Sequence, residues 1–368
     1  LANTTGTVIE NVVADRRAYG LQSSASNGLV VDGLVSRNSA VGAYVYNVPV
    51  TWTAPSLNDL TLTDNGVGLQ LHTVRAPMTL GAANAIDVAR SAWGFSLYSS
   101  TDITLEDMTL ANPVRGVQVE AATSARLTLR RLDTSGTGRG RGVVLDGDNH
   151  VVEDVIADDR EYGVYAANAN GLVVDGLWAD SAATAGLYLS SVVAPSTAPA
   201  LSGLRLTRSV NGLQAASMRV PMTLDAATFA DLSGNITSLY LSGGVTDMTV
   251  RGLRLDGTAV GVDASNTANA RLTFEDLDVT GYCRGYGLSL GGTDVTVRDS
   301  VSGRRAYGIY VGGGDRFVLE DSVVGASATT GVTVTGSSNI VNTTVVADAT
   351  NTATRLKVAV QTNISVGQ

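Results

Sequence analysis

The sequence predicts an all-β solenoid of parallel strands, because one phrase returns at a near-constant interval and a shorter phrase returns within it. Tyr19, Tyr162 and Tyr307 each precede a glycine in similar stretches, and they lie 143 and 145 residues apart. Repetition at a fixed period is typical of architectures in which each unit stacks on the next. We therefore expect one continuous solenoid over 1–368, with six-coil super-repeats at about 1–143, 144–288 and a partial third at 289–368.

The shorter phrase is a glycine followed by an apolar, a variable and an apolar residue, as in Gly68-Leu69-Gln70-Leu71. It returns every 21–26 residues, which gives about 15 coils. Alternation of apolar and other residues predicts a strand with one buried face. Each coil carries two further alternating stretches, as at 272–279, so we expect three short strands per coil.

Two turn residues separate these further stretches, and the second of them nearly always tolerates a left-handed backbone. We expect a sharp corner at each such residue, namely Asn11, Gly33, Asp59, Asp107, Asp154, Gly176, Gly203, Gly252, Asp276, Asp299 and Asp321. Arg131 occupies the same place in its coil and is expected to be strained or differently bent.

Over the whole chain, these coils resemble the right-handed, single-stranded parallel β-helix of the pectin-lyase-like superfamily, including its carbohydrate-binding and sugar-hydrolase type coils. The resemblance implies that fold and its handedness. It does not fix a function, because the fold hosts lyases, hydrolases, epimerases, phage tailspikes and adhesin stalks.

The motif sets of the catalytic relatives are incomplete in this sequence. A lyase-like Arg-x-Pro-x-x-Arg phrase fails at 75–80, where Leu80 stands in place of the second arginine. The polygalacturonase phrases do not occur as a set, and the epimerase phrase Asp-Pro-His-Asp is absent. Neither a phosphate-binding loop nor a zinc motif occurs. We therefore expect a chain that is not an enzyme, with no catalytic residue, no cofactor and no metal site, and we expect His72 and His150 to be exposed turn residues.

One set of arginine and tyrosine residues recurs in the loops just before the glycine strands. Arginine and tyrosine together can hold an acidic sugar or a carboxylate, although they also suit plain loop packing with arginine in water. We expect these residues to gather on one exposed ridge with a ligand-binding role, namely Arg17, Tyr19, Arg139, Arg141, Arg160, Tyr162, Arg284, Tyr286, Arg305 and Tyr307.

Composition narrows the partners of the chain. The net charge of −9 argues against nucleic acid, and no apolar run approaches the roughly 20 residues of a membrane span. Neither end carries a predicted cap, so we expect coils to pair end to end with neighbouring β-helix coils.

The leading hypothesis is a structural segment of an extracellular or cell-surface fibre, stalk or adhesin of a bacterium, with a glycan or the cell surface as a further partner. The alternative is a polysaccharide-active enzyme (lyase, hydrolase or epimerase) or a glycan-binding module of the same fold.

Overall fold

The computed structural model describes residues 1–346 and 354–359, except 112, 121–122, 138–139, 169, 256–257, 282–284, 326 and 338–339. For 341–346 and 354–359 it describes the backbone alone. The chain forms two compact units, unit 1 at Leu1–Ala183 and unit 2 at Thr184–Gln368.

Unit 1 consists of short strands and a single 3-10 turn at Ala82–Asn84 among its described residues. Its strands are β1 Val8–Asp15, β2 Tyr19–Ser24, β3 Val30–Arg37, β4 Val41–Val48, β5 Ser56–Thr63, β6 Val67–Val74, β7 Met78–Gly81, β8 Ile86–Ala89, β9 Trp93–Tyr98, β10 Ile103–Thr109, β11 Arg115–Glu120, β12 Thr128–Asp133, β13 Arg141–Asp146, β14 Val151–Glu153, β15 Tyr162–Ala167, β16 Val173–Asp175 and β17 Trp178–Asp180.

Unit 2 is built in the same way. Its strands are β18 Ala185–Ser190, β19 Ala200–Ser202, β20 Leu204–Thr207, β21 Asn211–Ala216, β22 Met222–Leu224, β23 Phe229–Asp231, β24 Thr237–Ser242, β25 Met248–Arg251, β26 Val260–Ala264, β27 Thr273–Glu275, β28 Tyr286–Leu290, β29 Thr296–Arg298, β30 Val301–Gly303, β31 Tyr307–Asp315, β32 Val318–Gly325, β33 Thr330–Ser337, β34 Ile340–Val346 and β35 Thr354–Ala359.

In each unit the glycine-led strands of successive coils pair in parallel and form one long sheet. In unit 1 the order is β2-β4-β6-β9-β11-β13-β15, and in unit 2 it is β18-β21-β24-β26-β28-β31-β33-β35. Other sheets run beside them, such as β1-β3-β5-β8 in unit 1 and β22-β25-β27-β29-β32 in unit 2. The predicted all-β parallel β-helix is therefore confirmed.

The apolar positions of the glycine-led strands point into the coil and stack on their equivalents. Leu69 pairs in register with Phe95, which pairs with Val117, and all three are fully buried. Because successive strands are about 4.8 Å apart, each side chain packs on the one in the next coil. These stacks form the hydrophobic core of each unit.

The glycine of the repeating phrase is needed because its backbone lies against the core. A Cβ on Gly116 would lie 2.4 Å from the carbonyl oxygen of Gly142 and 2.8 Å from the Cβ of Thr134. The missing side chain leaves the space into which the neighbouring coil packs, while Arg115, directly before Gly116, is partly exposed.

The predicted corners are confirmed. Every Asn, Asp or Gly expected there has a positive φ, from 47° at Asp321 to 76° at Gly33. Arg131 takes the same left-handed conformation, with φ of 50°, which costs an ordinary residue roughly 1–2 kcal/mol. The expected strain at Arg131 is thus present.

Within the described part of the chain, none of the helical segments is long and apolar enough to cross a membrane.

Candidate functional site

The outer side of the long sheet in unit 1 carries a row of aromatic and arginine side chains. They occupy the position before the glycine, the variable position of the phrase, or the position two residues after the variable one. Side chains from these positions contact one another, as Tyr19 does Tyr44, Tyr44 does Tyr46 and Arg141 does Tyr165. Tyr19 and Tyr98 are exposed, and the others are partly exposed. We call this row the aromatic–arginine face and define it as Tyr19, Tyr44, Tyr46, His72, Trp93, Tyr98, Arg115, Arg141, Tyr162 and Tyr165.

The first coils of this face bring a tyrosine and a histidine into hydrogen-bond contact. The hydroxyl of Tyr44 lies 2.9 Å from Nδ1 of His72. Tyr44 stacks between Tyr19, at a centroid distance of 5.7 Å, and Tyr46, at 4.8 Å. The ring of Tyr98 meets His72 edge-on at 4.8 Å. These contacts hold the imidazole and the phenol in one orientation.

Burial raises the pKa of the Tyr44 phenol, and the neighbouring hydroxyls of Tyr19 and Tyr46 raise it further. Tyr44 is therefore protonated at neutral pH and can donate its proton to a partner. His72 is the neighbour placed to accept that proton when its Nδ1 carries none.

The later coils of the face carry two arginines against aromatic rings. The guanidinium carbon of Arg115 lies 5.3 Å from the ring centroid of Trp93, and that of Arg141 lies 3.9 Å from Tyr165 and 5.3 Å from Tyr162. Stacking on a ring fixes a planar guanidinium and leaves edge N–H donors for a carboxylate. Fixed positive groups thus lie beside flat apolar surfaces.

Some residues of the predicted ridge do lie on this face, namely Tyr19, Arg141 and Tyr162. Arg17 is exposed on the loop before β2. In unit 2, Tyr286 and Tyr307 stack on one another with centroids 4.9 Å apart. Arg139 and Arg284 lie outside the described residues. A ligand-binding role for the set stays a prediction.

Two residues of the predicted ridge, Arg160 and Arg305, are not exposed, and that part of the expectation is wrong. Each is only 1% exposed. Their side chains turn into the coil because backbone carbonyls there satisfy the guanidinium: Arg160 donates to Thr134 O and Pro113 O, both at 2.6 Å.

His150 also corrects the sequence prediction of an exposed turn residue. It is fully buried, and its Nδ1 accepts a hydrogen bond of 3.3 Å from the main-chain N–H of Leu127. Burial lowers the pKa of the imidazole, although the carbonyl of Asp146 and the charges of Asp148 and Asp146 oppose this.

Sequence reasoning missed several members of the face, and a signal for them exists. Trp93 and Arg115 directly precede Gly94 and Gly116, and Tyr44 and Tyr165 hold the variable position of the phrase. Reading these two outward positions coil by coil would have found the face.

Among the residues that the structure describes, no group of three or more His, Cys, Asp or Glu side chains is arranged to hold a metal ion.

Comparison with known proteins gives few matches. No family model matches the chain, and no curated protein matches it. Among solved structures, the chain is similar to the A-module of mannuronan C-5 epimerase AlgE4 from Azotobacter vinelandii. The identity is 12% and the TM-score 0.41, over 99% of this chain and 91% of that one. At these values the likeness says nothing about the substrate or reaction of this chain.

The comparison corrects one expectation. We expected a chain that is not an enzyme because the known motif sets are incomplete, yet the matched structure is by name part of an epimerase. The fibre, stalk or adhesin role, the partners and the location stay predictions.

Proposed function

We propose that this protein acts on an acidic polysaccharide, which it binds along the aromatic–arginine face of unit 1. The observation that carries the proposal is the cation–π contact of Arg141 with Tyr165 and Tyr162. Arg115, one coil before, makes the same kind of contact with Trp93. Flat rings suit the apolar faces of sugars, and the guanidinium edges suit their carboxylates.

The spacing of the face favours a chain-like ligand. Successive strands lie about 4.8 Å apart, so each coil presents one set of side chains at an interval comparable to one hexose unit. The face spans the seven strands from β2 to β15, which is roughly 29 Å. A polysaccharide can therefore contact several coils at once, and weak contacts add along its length.

The pair Tyr44 and His72 supplies the chemistry. A hydrogen-bonded phenol and imidazole on an open face can give one proton and take another, which is what proton transfer at a sugar requires. The raised pKa keeps the proton on Tyr44. In the tautomer whose Nδ1 carries the hydrogen, His72 donates to the Tyr44 oxygen, which leaves the Tyr44 hydroxyl proton for the sugar and Nε2 of His72 to take the proton that the sugar loses. We propose proton abstraction next to the sugar carboxylate, as in a lyase or an epimerase.

Binding is tested first, by calorimetric titration of a polygalacturonate hexamer, an alginate hexamer and neutral maltohexaose. We expect the acidic hexamers to bind and the neutral one to bind much less. Arg115→Gln and Arg141→Gln should each lower the affinity about three- to tenfold. Arg316→Gln is the matched control, since Arg316 is an exposed arginine of unit 2 paired with Asp294. Equal binding of neutral and acidic hexamers would contradict the proposal.

Turnover is tested separately, by incubating the same acidic polymers in deuterated water and following carbon-bound deuterium and unsaturated products by proton NMR. Tyr44→Phe and His72→Gln should abolish either signal, and titration of both variants at saturating hexamer separates lost turnover from weakened binding. If wild-type protein binds but neither exchanges nor cleaves any polymer, the proton-transfer role is refuted and binding alone remains.

A further inference from the structure

Arg160 is a charged side chain in an unusual place. It is 1% exposed, and burying a charged group is costly unless its hydrogen bonds are satisfied. Its Nε donates to Thr134 O at 2.6 Å, its Nη1 to Pro113 O at 2.6 Å, and its Nη2 to Ser135 O at 3.0 Å. One planar group therefore ties backbone from three successive coils.

The tied segments have one thing in common: each leads directly to a residue of the aromatic–arginine face. Pro113 lies two residues before Arg115, and Arg160 itself lies two residues before Tyr162. Thr134 and Ser135 directly follow β12 and lie seven and six residues before Arg141. The guanidinium of Arg160 thus lies beneath the entrances to the three last strands of the face, β11, β13 and β15.

Space for this guanidinium is provided by a glycine. A Cβ on Gly136 would lie 2.9 Å from Nη2 of Arg160 and 3.0 Å from its Cζ. Gly136 shows no positive φ, so the turn itself does not demand glycine. The contact with Arg160 does.

Unit 2 repeats the device 145 residues later. Arg305 is 1% exposed and donates from Nε to Val279 O and from Nη2 to Leu255 O, both at 3.0 Å. It also donates to Thr258 O. A Cβ on Gly281 would lie 2.9 Å from the Cζ of Arg305. Arg305 is therefore a natural control for Arg160, with the same chemistry within unit 2.

We propose that Arg160 is a positioning residue for the acidic-glycan site: its buried guanidinium fixes the three loops that set Arg115, Arg141 and Tyr162 in place. The inference rests on the proposed function for its ligand. It makes the correct placement of the two binding arginines depend on a residue that no glycan touches.

The test compares Arg160→Lys with Arg305→Lys. A lysine ammonium is a point charge and cannot bridge three carbonyls from one plane as guanidinium does. Both variants should lose thermal stability to a similar extent. Only Arg160→Lys should weaken binding of the polygalacturonate hexamer, by about tenfold. Equal affinity in the two variants, whether lowered or unchanged, would overturn the proposal.

A ligand-free readout separates this inference from the proposed function. Arg141 lies on the ring of Tyr165, so its side-chain protons should show a ring-current shift in the NMR spectrum. Arg160→Lys should remove most of that shift, and Arg305→Lys should preserve it. Retention of the shift in Arg160→Lys refutes positioning, whereas absence of hexamer binding in the wild type refutes the proposed function alone.

A second pair of variants, with smaller changes in the core, serves if the lysine variants do not fold. Gly136→Ala pushes a Cβ against the guanidinium of Arg160, and Gly281→Ala does the same to Arg305. The Arg141 shift should change in Gly136→Ala and not in Gly281→Ala. An unchanged shift in folded Gly136→Ala protein would contradict the inference.

Discussion

Ser238 stands at the start of a strand where the repeating phrase predicts glycine, and this exception tests whether packing demands a glycine there. It stands where the two neighbouring coils have Gly212 and Gly261, at the start of Ser238-Leu239-Tyr240-Leu241. Ser238 is fully buried, and its hydroxyl oxygen has no hydrogen-bond partner. This coil already accommodates a Cβ, so the hydroxyl is the unfavourable part of the side chain.

The size of the effect follows from the buried hydroxyl. Leaving a buried polar group unpaired costs about 1–3 kcal/mol. Ser238→Ala removes the oxygen and keeps the accommodated Cβ, so we expect the free energy of unfolding to rise by about 1 kcal/mol or more.

The reciprocal change at Gly116 should act in the opposite direction. There the new Cβ would lie 2.4 Å from Gly142 O, and overpacking of this kind costs about 1–3 kcal/mol. Alanine also reduces the conformational entropy of the unfolded chain, which offsets about 0.4–1 kcal/mol of that cost. Gly116→Ala should therefore lower the free energy of unfolding by about 1–2 kcal/mol.

The assay is urea unfolding of both variants, followed by far-UV circular dichroism, with amide exchange to localise the change to β24 or β11. The midpoint should rise for Ser238→Ala and fall for Gly116→Ala. A neutral Gly116→Ala together with a destabilised Ser238→Ala would refute the packing argument for the glycine phrase.

Three further predictions concern the pH dependence of stability, a substitution at a corner residue, and the salt dependence of binding. Burial lowers the pKa of His150, so below about pH 6.5 the unfolded chain takes up a proton that the folded chain does not. The free energy of unfolding should therefore decline as the pH falls through that value, and it should decline less in His150→Gln. Asp154 has φ of 51°, so Asp154→Ala should lower the free energy of unfolding by about 1 kcal/mol, while Asp154→Gly should have a smaller effect on the melting temperature. Raising sodium chloride from about 0.05 to 0.5 M should weaken binding of the acidic hexamer to Arg115 and Arg141 several-fold by screening, and calorimetry in both buffers would show an unchanged affinity if charge plays no part.

The fold was predictable because its determinants are local and repeated. Alternation in each phrase sets the buried face of a strand, and the residue at each corner sets the turn. Even the exception at Arg131 could be placed, since the register of its neighbours forces a left-handed backbone on it. Sequence therefore specifies each coil almost independently of the others.

The candidate site was predictable only in part, because an arginine at the same position of the phrase can be either exposed or buried. Arg17, Arg160 and Arg305 hold equivalent positions, yet Arg17 is exposed and the other two are buried. The difference depends on carbonyls up to 50 residues earlier in the chain and on the small size of Gly136 and Gly281. Such distant conditions are not visible within one phrase.

The most direct test of the account is a crystal structure of the protein grown with a polygalacturonate hexamer. We predict that the sugar chain crosses successive strands of the long sheet in unit 1, with its rings on Trp93 and Tyr165 and its carboxylates at Arg115 and Arg141. A hexamer bound against any other sheet, or crystals without sugar at millimolar hexamer, would contradict it.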